Sequence, residues 1–134
     1  MRRRTWVALG VGLGVALARL RPFRVLVAGE SMAPALLPGD QLLVVRARRV
    51  RRGHVVVVRP PGSGVEMIKR VAGVPGERVE LGPSGAWTLG PDEYLVLGDN
   101  RSRSTDARSF GPVPASAIAG RAVLRLWPGA GLVH

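Results

Sequence analysis

The chain begins with an apolar run and continues as short β-type segments separated by turns. Residues 5 to 18 carry no charge, and arginines flank this run at positions 2 to 4 and again at Arg19, Arg21 and Arg24. Beyond residue 24 no stretch keeps a helical period for three turns, whereas runs rich in Val, Leu and Ile recur with turn residues between them. This pattern predicts a mostly β body behind one apolar segment.

Eight segments of the body are predicted as strands because they are rich in β-formers and because Gly, Pro, Asn and Asp recur in the breaks between them. One helical turn is predicted at Pro114–Ile118. Short strands at even spacing are typical of a coiled β-sheet or barrel, which is the predicted fold class. The predicted strands are Arg24–Ala28, Gln41–Arg46, His54–Arg59, Val65–Val74, Arg78–Leu81, Ala86–Leu89, Tyr94–Leu97 and Arg121–Leu126.

The apolar run is predicted to be one short hydrophobic helix at a membrane. Fourteen helical residues rise about 21 Å, and a single span drawn over residues 5–23 reaches about 28 Å if Arg19 and Arg21 extend their charged ends to water. Two alternatives stay open: a cleavable signal peptide that ends at Ala16-Leu17-Ala18, and a basic helix that lies on the membrane surface. Positive charge on both flanks specifies the orientation only poorly, and the arginines at positions 2 to 4, nearest the terminus, favour an N-terminus on the inner side.

The domain organisation follows from these elements. Residues 1–24 are predicted as the membrane segment, residues 25–127 as one folded β domain, and residues 128–134 as a loose C-terminal tail. With 134 residues the chain is too short for a second domain.

The amino-acid composition excludes several kinds of site and indicates one kind of partner. The chain has no Cys and only two His, which excludes disulfides and thiol nucleophiles and leaves no histidine pair for a metal, so neither metal nor cofactor is predicted. Its net charge of +11 and the basic segment from Arg46 to Arg52 indicate an anionic partner. Aromatic residues are few and no helical or zinc framework would present the arginines, so lipid is favoured over nucleic acid.

Of the 20 basic residues only Lys69 is a lysine. In the strand predicted around it, Lys69 shares a face with Val65, Met67 and Val71, because alternate side chains of a strand point the same way. Burial among apolar groups lowers the pKa of a lysine toward the range where it acts as a base. The alternative is an edge lysine whose amine reaches water.

Ser31 is the candidate nucleophile. It directly follows a predicted strand, and Pro34 stiffens the turn after it, so that its hydroxyl would be held at a defined angle. The alternative is a serine that only caps a turn. A neutral Lys69 would take the proton of Ser31 during attack on a carbonyl and return it to the leaving amine. His54 is the other candidate base, although it also suits a solvated strand end.

The segment Gly98–Gly111 is the third candidate for the site. It follows an apolar strand and alternates acidic, basic, amide and hydroxyl side chains. Such a mixture can form a self-satisfied network of hydrogen bonds that fixes the backbone beside a catalytic group, whereas the alternative is a solvated loop.

The segments around Ser31 and Lys69 and the segment Gly98–Gly111, in this order along the chain, resemble the conserved sequence boxes of the type I signal peptidase family of membrane-bound serine endopeptidases. The resemblance runs from about residue 25 to 127. It implies a nucleophile at Ser31, a general base at Lys69, and a hydroxyl at Ser104 that holds the lysine. It further implies that Asp106 and Arg108 shape the site.

The resemblance extends to residues with supporting roles. It implies that Asp99 and Asn100 support the site and that Met32 and Pro34 contact the substrate. Gly29 stands where some members carry a side-chain oxyanion donor, so the oxyanion is expected to rely on backbone N–H groups such as that of Ser31.

The resemblance also implies the function. The chain is expected to be a small, single-domain, single-pass protein of the cell membrane, with its catalytic domain on the extracytoplasmic side. It would cleave signal peptides or pro-peptides after small residues, and its partners would be those substrates and membrane lipid. One alternative is a maturation protease for a dedicated substrate such as nickel superoxide dismutase, and mitochondrial inner-membrane processing peptidases are further small relatives. A non-catalytic β domain that binds anionic lipid or nucleic acid is the alternative of another class.

Overall fold

The structure is a computed structural model that describes residues 19–47 and 49–134. Ten strands and one α-helix are numbered here in chain order, and three short 3-10 turns join them. The helix α1 is Ala107–Phe110, and the 3-10 turns are Gly82–Ser84, Arg101–Arg103 and Ala115–Ala117. The strands are β1 Phe23–Leu26, β2 Gln41–Val45, β3 Val55–Val58, β4 Met67–Gly73, β5 Arg78–Glu80, β6 Ala86–Thr88, β7 Glu93–Leu97, β8 Val113–Pro114, β9 Ile118–Trp127 and β10 Gly131–Leu132.

Eight of the strands form one antiparallel sheet in the order β1-β2-β9-β3-β4-β7-β8, with β10 paired to β9. Strands β5 and β6 form a separate hairpin. The register shifts where β9 meets β2 and β3, and again where β4 meets β7. Because such irregularities bend a strand and increase its twist, the sheet curls, and the predicted mostly β, coiled fold is confirmed.

Both faces of the sheet are buried at β3. Val56 and Val58 pack in one apolar cluster with residues of β4 and β7, whereas Val55 and Val57 pack in a second cluster with residues of β2 and of the loop after β1. All four valines are therefore buried although a half-exposed strand would alternate. The curled sheet thus has a core on each side of β3, and β4, which pairs with it, carries Lys69 opposite Val56.

All eight predicted strands are present, with ends that differ by a few residues, and the predicted helical turn is the 3-10 turn Ala115–Ala117. Strand β4 begins at Met67 instead of Val65, because its pairing with β3 ends where Val58 faces Met67. Val65 is 56% exposed. The sequence reading did not predict the helix α1 or the short strands β8 and β10.

The C-terminal segment differs from the loose tail that was expected at residues 128–134. Gly131 and Leu132 pair with Arg125 and Leu124 of β9. The backbone carbonyl of His134 accepts a hydrogen bond from the Arg70 guanidinium at 2.6 Å. The turn after β9 therefore returns the chain to the sheet.

The candidate span at residues 5–23 lies for the most part outside the described residues. Over residues 19–47 and 49–134, the structure contains no helix long and apolar enough to cross a membrane.

Gly120 of β9 gives a test of how tightly the sheet curls. A Cβ atom added there would lie 2.6 Å from the carbonyl oxygen of Val45 and 2.7 Å from a methyl of Val44. Overpacking of this kind costs about 1–3 kcal/mol, so Gly120→Ala should lower the free energy of unfolding by that amount. Denaturant unfolding of the full chain measures it. Gly129→Ala is the matched control, since nothing lies within 4 Å of its added Cβ; equal stability of the two variants would contradict the close contact.

Candidate active site

A cleft of about 410 Å³ opens between the end of β1 and the start of β4. Its wall on the β1 side includes Leu26 and the loop from Ala28 to Ser31, and its wall on the β4 side includes Met67 and Lys69. Ser31 and Lys69, which are distant in sequence, therefore line the same cleft.

Lys69 lies in the middle of β4 opposite Val56, and only 4% of it is exposed. Its Nζ donates a hydrogen bond to the Ser104 hydroxyl oxygen at 3.0 Å. Burial lowers the pKa of Lys69 below its ordinary value; the charge of Asp106 raises it in part, and that of Arg108 lowers it. The net direction is the one that a lysine base requires.

Asp106 is fully buried and forms the centre of a hydrogen-bond network. Its carboxylate accepts from the Ser104 hydroxyl at 2.9 Å, from the Gly98 N–H at 2.9 Å, and from the Arg108 guanidinium at 2.8 and 3.0 Å. It also accepts from the Arg108 N–H and thereby caps α1. Burial would raise the pKa of Asp106, but these hydrogen bonds lower it to about 2, so the group is ionised at neutral pH.

The ionised state of Asp106 determines the direction of the hydrogen bonds that link it through Ser104 to Lys69. An ionised carboxylate only accepts, so the single hydrogen of the Ser104 hydroxyl points to Asp106. Ser104 therefore accepts from Lys69, and the bond uses an N–H of the amine. A neutral Lys69 keeps its lone pair free for another donor.

Asn100 holds the carbonyl groups of the two peptide bonds that flank Ser31. Its N–H donates to the Ser31 carbonyl at 2.8 Å, and its side-chain amide donates to the Glu30 carbonyl at 3.1 Å. After Ser31 the turn is anchored by Met32, which is 1% exposed, and by Leu36, whose N–H donates to the Met32 carbonyl. The hydroxyl of Ser31 is thus carried on backbone that is fixed from both sides.

Gly98 allows the two loops of the site to meet. A Cβ atom added there would lie 2.8 Å from the Ser31 carbonyl oxygen and 2.5 Å from the Ser104 Cβ, and it would overlap the Ser104 hydroxyl. Any side chain at this position would push Ser31 and Ser104 apart. The glycine is therefore required by close approach.

Arg70 and Asp99 join β4 to the loop after β7, the loop whose Asn100 contacts the backbone at Ser31. The guanidinium donates to both carboxylate oxygens of Asp99 at 2.8 Å, a bidentate pair that restricts both side chains. It also donates to the Gly53 carbonyl at 2.8 Å. The hydrogen bond to Asp99, opposed in part by burial, raises the pKa of Arg70.

The structure brings most of the candidate residues together. Ser31 and Lys69 line the cleft, and a continuous set of contacts joins them to five further candidates, namely Asp99, Asn100, Ser104, Asp106 and Arg108.

Met32 and Pro34, expected to contact substrate, lie elsewhere. Neither lines the cleft, because the Met32 side chain packs in the core cluster against β2 and β3, and Pro34 is exposed on the far part of the turn. His54 is also outside the cleft, and its Nδ1 accepts from the Arg51 N–H.

Several residues in or beside the cleft were not predicted as individual site residues. Gly98 begins the polar segment predicted for the site, but only its contact with Ser31 and Ser104 reveals why a glycine stands there. Leu26, Arg103 and Thr105 line the cleft, but no motif distinguishes them. Val65, which was placed on the face of Lys69 as part of the strand, lines the cleft from the loop before β4.

The chain matches one protein family over most of its length. The family model described as "Signal peptidase, peptidase S26" matches residues 2–85 and 81–127. Signal peptidase I of Leptolyngbya laminosa is 35% identical over an alignment that covers 91% of this chain and 74% of that protein. Mitochondrial ATP-independent inner membrane protease subunit 1a of Arabidopsis thaliana is 40% identical, with 75% and 67% covered. Mitochondrial inner membrane protease subunit 1 of Xenopus tropicalis is 37% identical, with 78% and 68% covered. The chain therefore belongs to the signal peptidase family, peptidase S26.

Proposed function

We propose that the chain is a membrane-associated serine endopeptidase that works with a Ser31/Lys69 dyad. The family supplies the reaction class, a serine peptidase. The main support for the dyad is the buried amine of Lys69. This amine is hydrogen-bonded to Ser104, and Lys69 lines the same cleft as Ser31. Among the described residues Lys69 is the only side chain of that cleft with a lowered pKa that can serve as a base.

The proton path follows from the direction of the hydrogen bonds. The free lone pair of neutral Lys69 takes the hydroxyl proton of Ser31 as its oxygen bonds to the carbonyl carbon of the substrate. The resulting ammonium gives that proton to the leaving amine when the peptide bond breaks. Water then attacks the carbonyl carbon of the acyl-enzyme while the same amine takes a proton from it. The amine gives that proton to the Ser31 oxygen as the bond to the acyl group breaks, which restores the hydroxyl.

The oxyanion that forms during attack needs a hydrogen-bond donor. Gly29 has no side chain to offer, and its positive φ of 76° turns the backbone just before Ser31. In the part of the chain that the structure describes, no hydrogen bond uses the Ser31 N–H. We assign the oxyanion to this N–H, which lies in the nucleophile itself and is fixed through Asn100.

The substrate is a protein or peptide in this proposal. The cleft is lined by apolar side chains such as Leu26, Val65 and Met67 on either side of the dyad, which suits an extended peptide with small apolar residues before the scissile bond. Signal peptides and pro-peptides of exported proteins fit this description. A dedicated maturation substrate, such as nickel superoxide dismutase, is the alternative.

The membrane part of the proposal rests on the sequence and on the relatives. Two of them are named as inner membrane proteases. The uncharged run at residues 5–18 would hold the chain at the membrane, within an anchor at residues 1–24 and ahead of a catalytic domain at residues 25–127. The catalytic domain would lie on the extracytoplasmic side of the cell membrane.

Replacement of the nucleophile is the direct test. Ser31→Ala should lower cleavage of a reporter peptide with a small-x-small site by about 10⁴-fold or more, because the acyl-enzyme cannot form. Cleavage is measured with the full chain in detergent. Ser84→Ala, on an exposed 3-10 turn, is the matched control and should cleave as the original chain does. Cleavage by Ser31→Ala at the control rate would end the proposal.

The lowered pKa of Lys69 predicts a pH dependence. Below that pKa the amine is protonated and cannot accept the proton of Ser31, so kcat/KM should rise with pH as the amine deprotonates. Lys69→Arg keeps a positive charge but has no neutral form at these pH values, so it should be inactive throughout. Thermal unfolding of the variant shows whether it folds. A flat pH profile of the original chain would count against Lys69 as the base, whatever the variant does.

Asp106 offers a test of the supporting network. Its charge raises the pKa of Lys69, so Asp106→Asn should move the acid limb of the pH profile to lower pH. The maximal rate should fall as well, because the Ser104 hydroxyl loses its ionised acceptor. Asp92→Asn, outside the cleft, is the control. An acid limb that stays in place, in a variant that still folds, would show that Asp106 does not act on Lys69.

A further inference from the structure

We propose that a basic surface beside the start of β1 docks on the headgroups of an anionic lipid bilayer. The basic surface consists of the arginines Arg19 and Arg21 before β1 and Arg46, Arg49 and Arg51 in the loop between β2 and β3. The surface lies outside the cleft, and its effect would be to orient the domain on the membrane. Only its position relative to the membrane anchor rests on the proposed function.

The fold brings these two segments together. The N–H of Arg46 donates to the carbonyl of Leu20 at 3.0 Å, so the loop after β2 contacts the segment that enters β1. Arg49 and Arg51 line one cavity of about 870 Å³ in the continuation of that loop. Val50 between them is buried in a core cluster, which fixes the loop and turns its neighbours outward.

The charges of this surface are left for an outside partner. All five arginines are exposed, and within residues 19–47 and 49–134 none of them forms an ion pair with a carboxylate. Asp92 lines the same cavity without ion-pair contact to Arg49 or Arg51. Most of the other described arginines are paired. Arg24, Arg101 and Arg121 form no ion pair either, but seven arginines do pair with Asp or Glu: Arg52, Arg59, Arg70, Arg78, Arg103, Arg108 and Arg125.

The position of the surface favours a bilayer as the partner. Arg19 follows directly on the uncharged run at residues 5–18, and Leu20 beside it is 45% exposed. Basic residues next to an apolar membrane segment are attracted by the negative surface potential of anionic lipids. Leu26, which lines the cleft, is at the opposite end of β1, about 10 Å further along the strand. Docking would therefore hold the cleft at a short, fixed height above the headgroups.

Nucleic acid is the less suitable partner. Proteins that bind it insert a helix or ribbon into a groove, or stack bases on exposed aromatic rings. Of the residues that line the cavity beside Arg49 and Arg51, the one aromatic is Tyr94, and it is buried. Exposed arginines without such a platform suit the diffuse charge of a lipid surface.

The test uses the full chain in lipid nanodiscs. Since the chain has no Cys, a single Ser116→Cys substitution, at an exposed position on the rim of the same cavity, takes a fluorophore at one site. Discs of phosphatidylcholine, with or without phosphatidylglycerol, carry a quencher on some headgroups. We expect stronger quenching in the anionic discs, and we expect it to fall in about 1 M salt, where screening reduces the Debye length to about 3 Å.

The variant R46Q/R49Q/R51Q tests whether the basic surface, and not the net charge of the protein, causes the stronger quenching. Each arginine near a bilayer surface strengthens docking about fivefold, so the triple variant should weaken it by roughly a hundredfold and lose the additional quenching. R59Q/R78Q/R125Q removes the same number of charges from arginines that are paired in the structure, and it should quench as the original chain does. Equal quenching in neutral and anionic discs, or equal loss in both variants, would overturn the proposal.

Two further measurements separate the other outcomes. Tighter binding of the detergent-solubilised chain to RNA or duplex DNA than to anionic discs, lost in R46Q/R49Q/R51Q, would make the surface a nucleic-acid site and overturn the lipid proposal. All measurements can be made with Ser31→Ala, so a failure of the proposed catalysis leaves them unaffected. A chain that does not enter neutral discs would contradict the membrane anchor. Binding to anionic vesicles, compared between the original chain and R46Q/R49Q/R51Q, would then still test whether the basic surface docks on anionic lipid.

Discussion

The site depends on one buried charge, the carboxylate of Asp106. Burial of an ion is costly unless hydrogen bonds replace its water, and here Gly98, Ser104 and Arg108 all donate to it. Because the donors come from the end of β7, the loop after it and the first turn of α1, the carboxylate fixes the fold of that loop as well as its electrostatics. The same loop carries Asn100, which holds the backbone at Ser31. Removal of the charge would therefore loosen both halves of the site.

A lysine base faces opposing requirements, and the position of Ser104 reconciles them. The amine of Lys69 has to be oriented by a hydrogen bond, but a carboxylate in direct contact would stabilise the ammonium and raise the pKa. Ser104 stands between the two groups, since it donates to Asp106 and accepts from Lys69. The charge of Arg108, which is paired with Asp106, lowers the pKa of Lys69 and opposes the effect of the carboxylate. The amine is thus held in place while burial still determines the direction of its pKa shift.

The sequence predicts those features that depend on neighbours along the chain. Runs of valine between turn residues locate the strands, and the alternation within β4 correctly assigns Lys69 to the buried face. Features that depend on distant contacts are missed. Val65 is as apolar as Met67 and Val71, yet β4 begins only where β3 offers a partner. Met32 follows Ser31 and was expected to contact substrate, but its length lets it reach the core beneath the turn. Gly98 and the returning strand β10 likewise become intelligible only when residues remote in sequence are adjacent.

The adjacent cations Lys69 and Arg70 show why this chain uses the two residue types so unequally. Successive side chains of β4 point to opposite faces, so one strand delivers one cation to a buried position and the other to Asp99 at the edge of the loop. Burial lowers the pKa of the lysine, whereas the bidentate pair raises that of the arginine. An arginine at position 69 would stay charged, and a lysine at position 70 could not bind both oxygens of Asp99 at once. The strand therefore carries a permanent cation that ties the loop to the sheet and, one residue before it, an amine that is able to lose its proton. Arginine suffices wherever only charge is needed, and the single lysine stands where the proposed mechanism requires a cation to lose its proton.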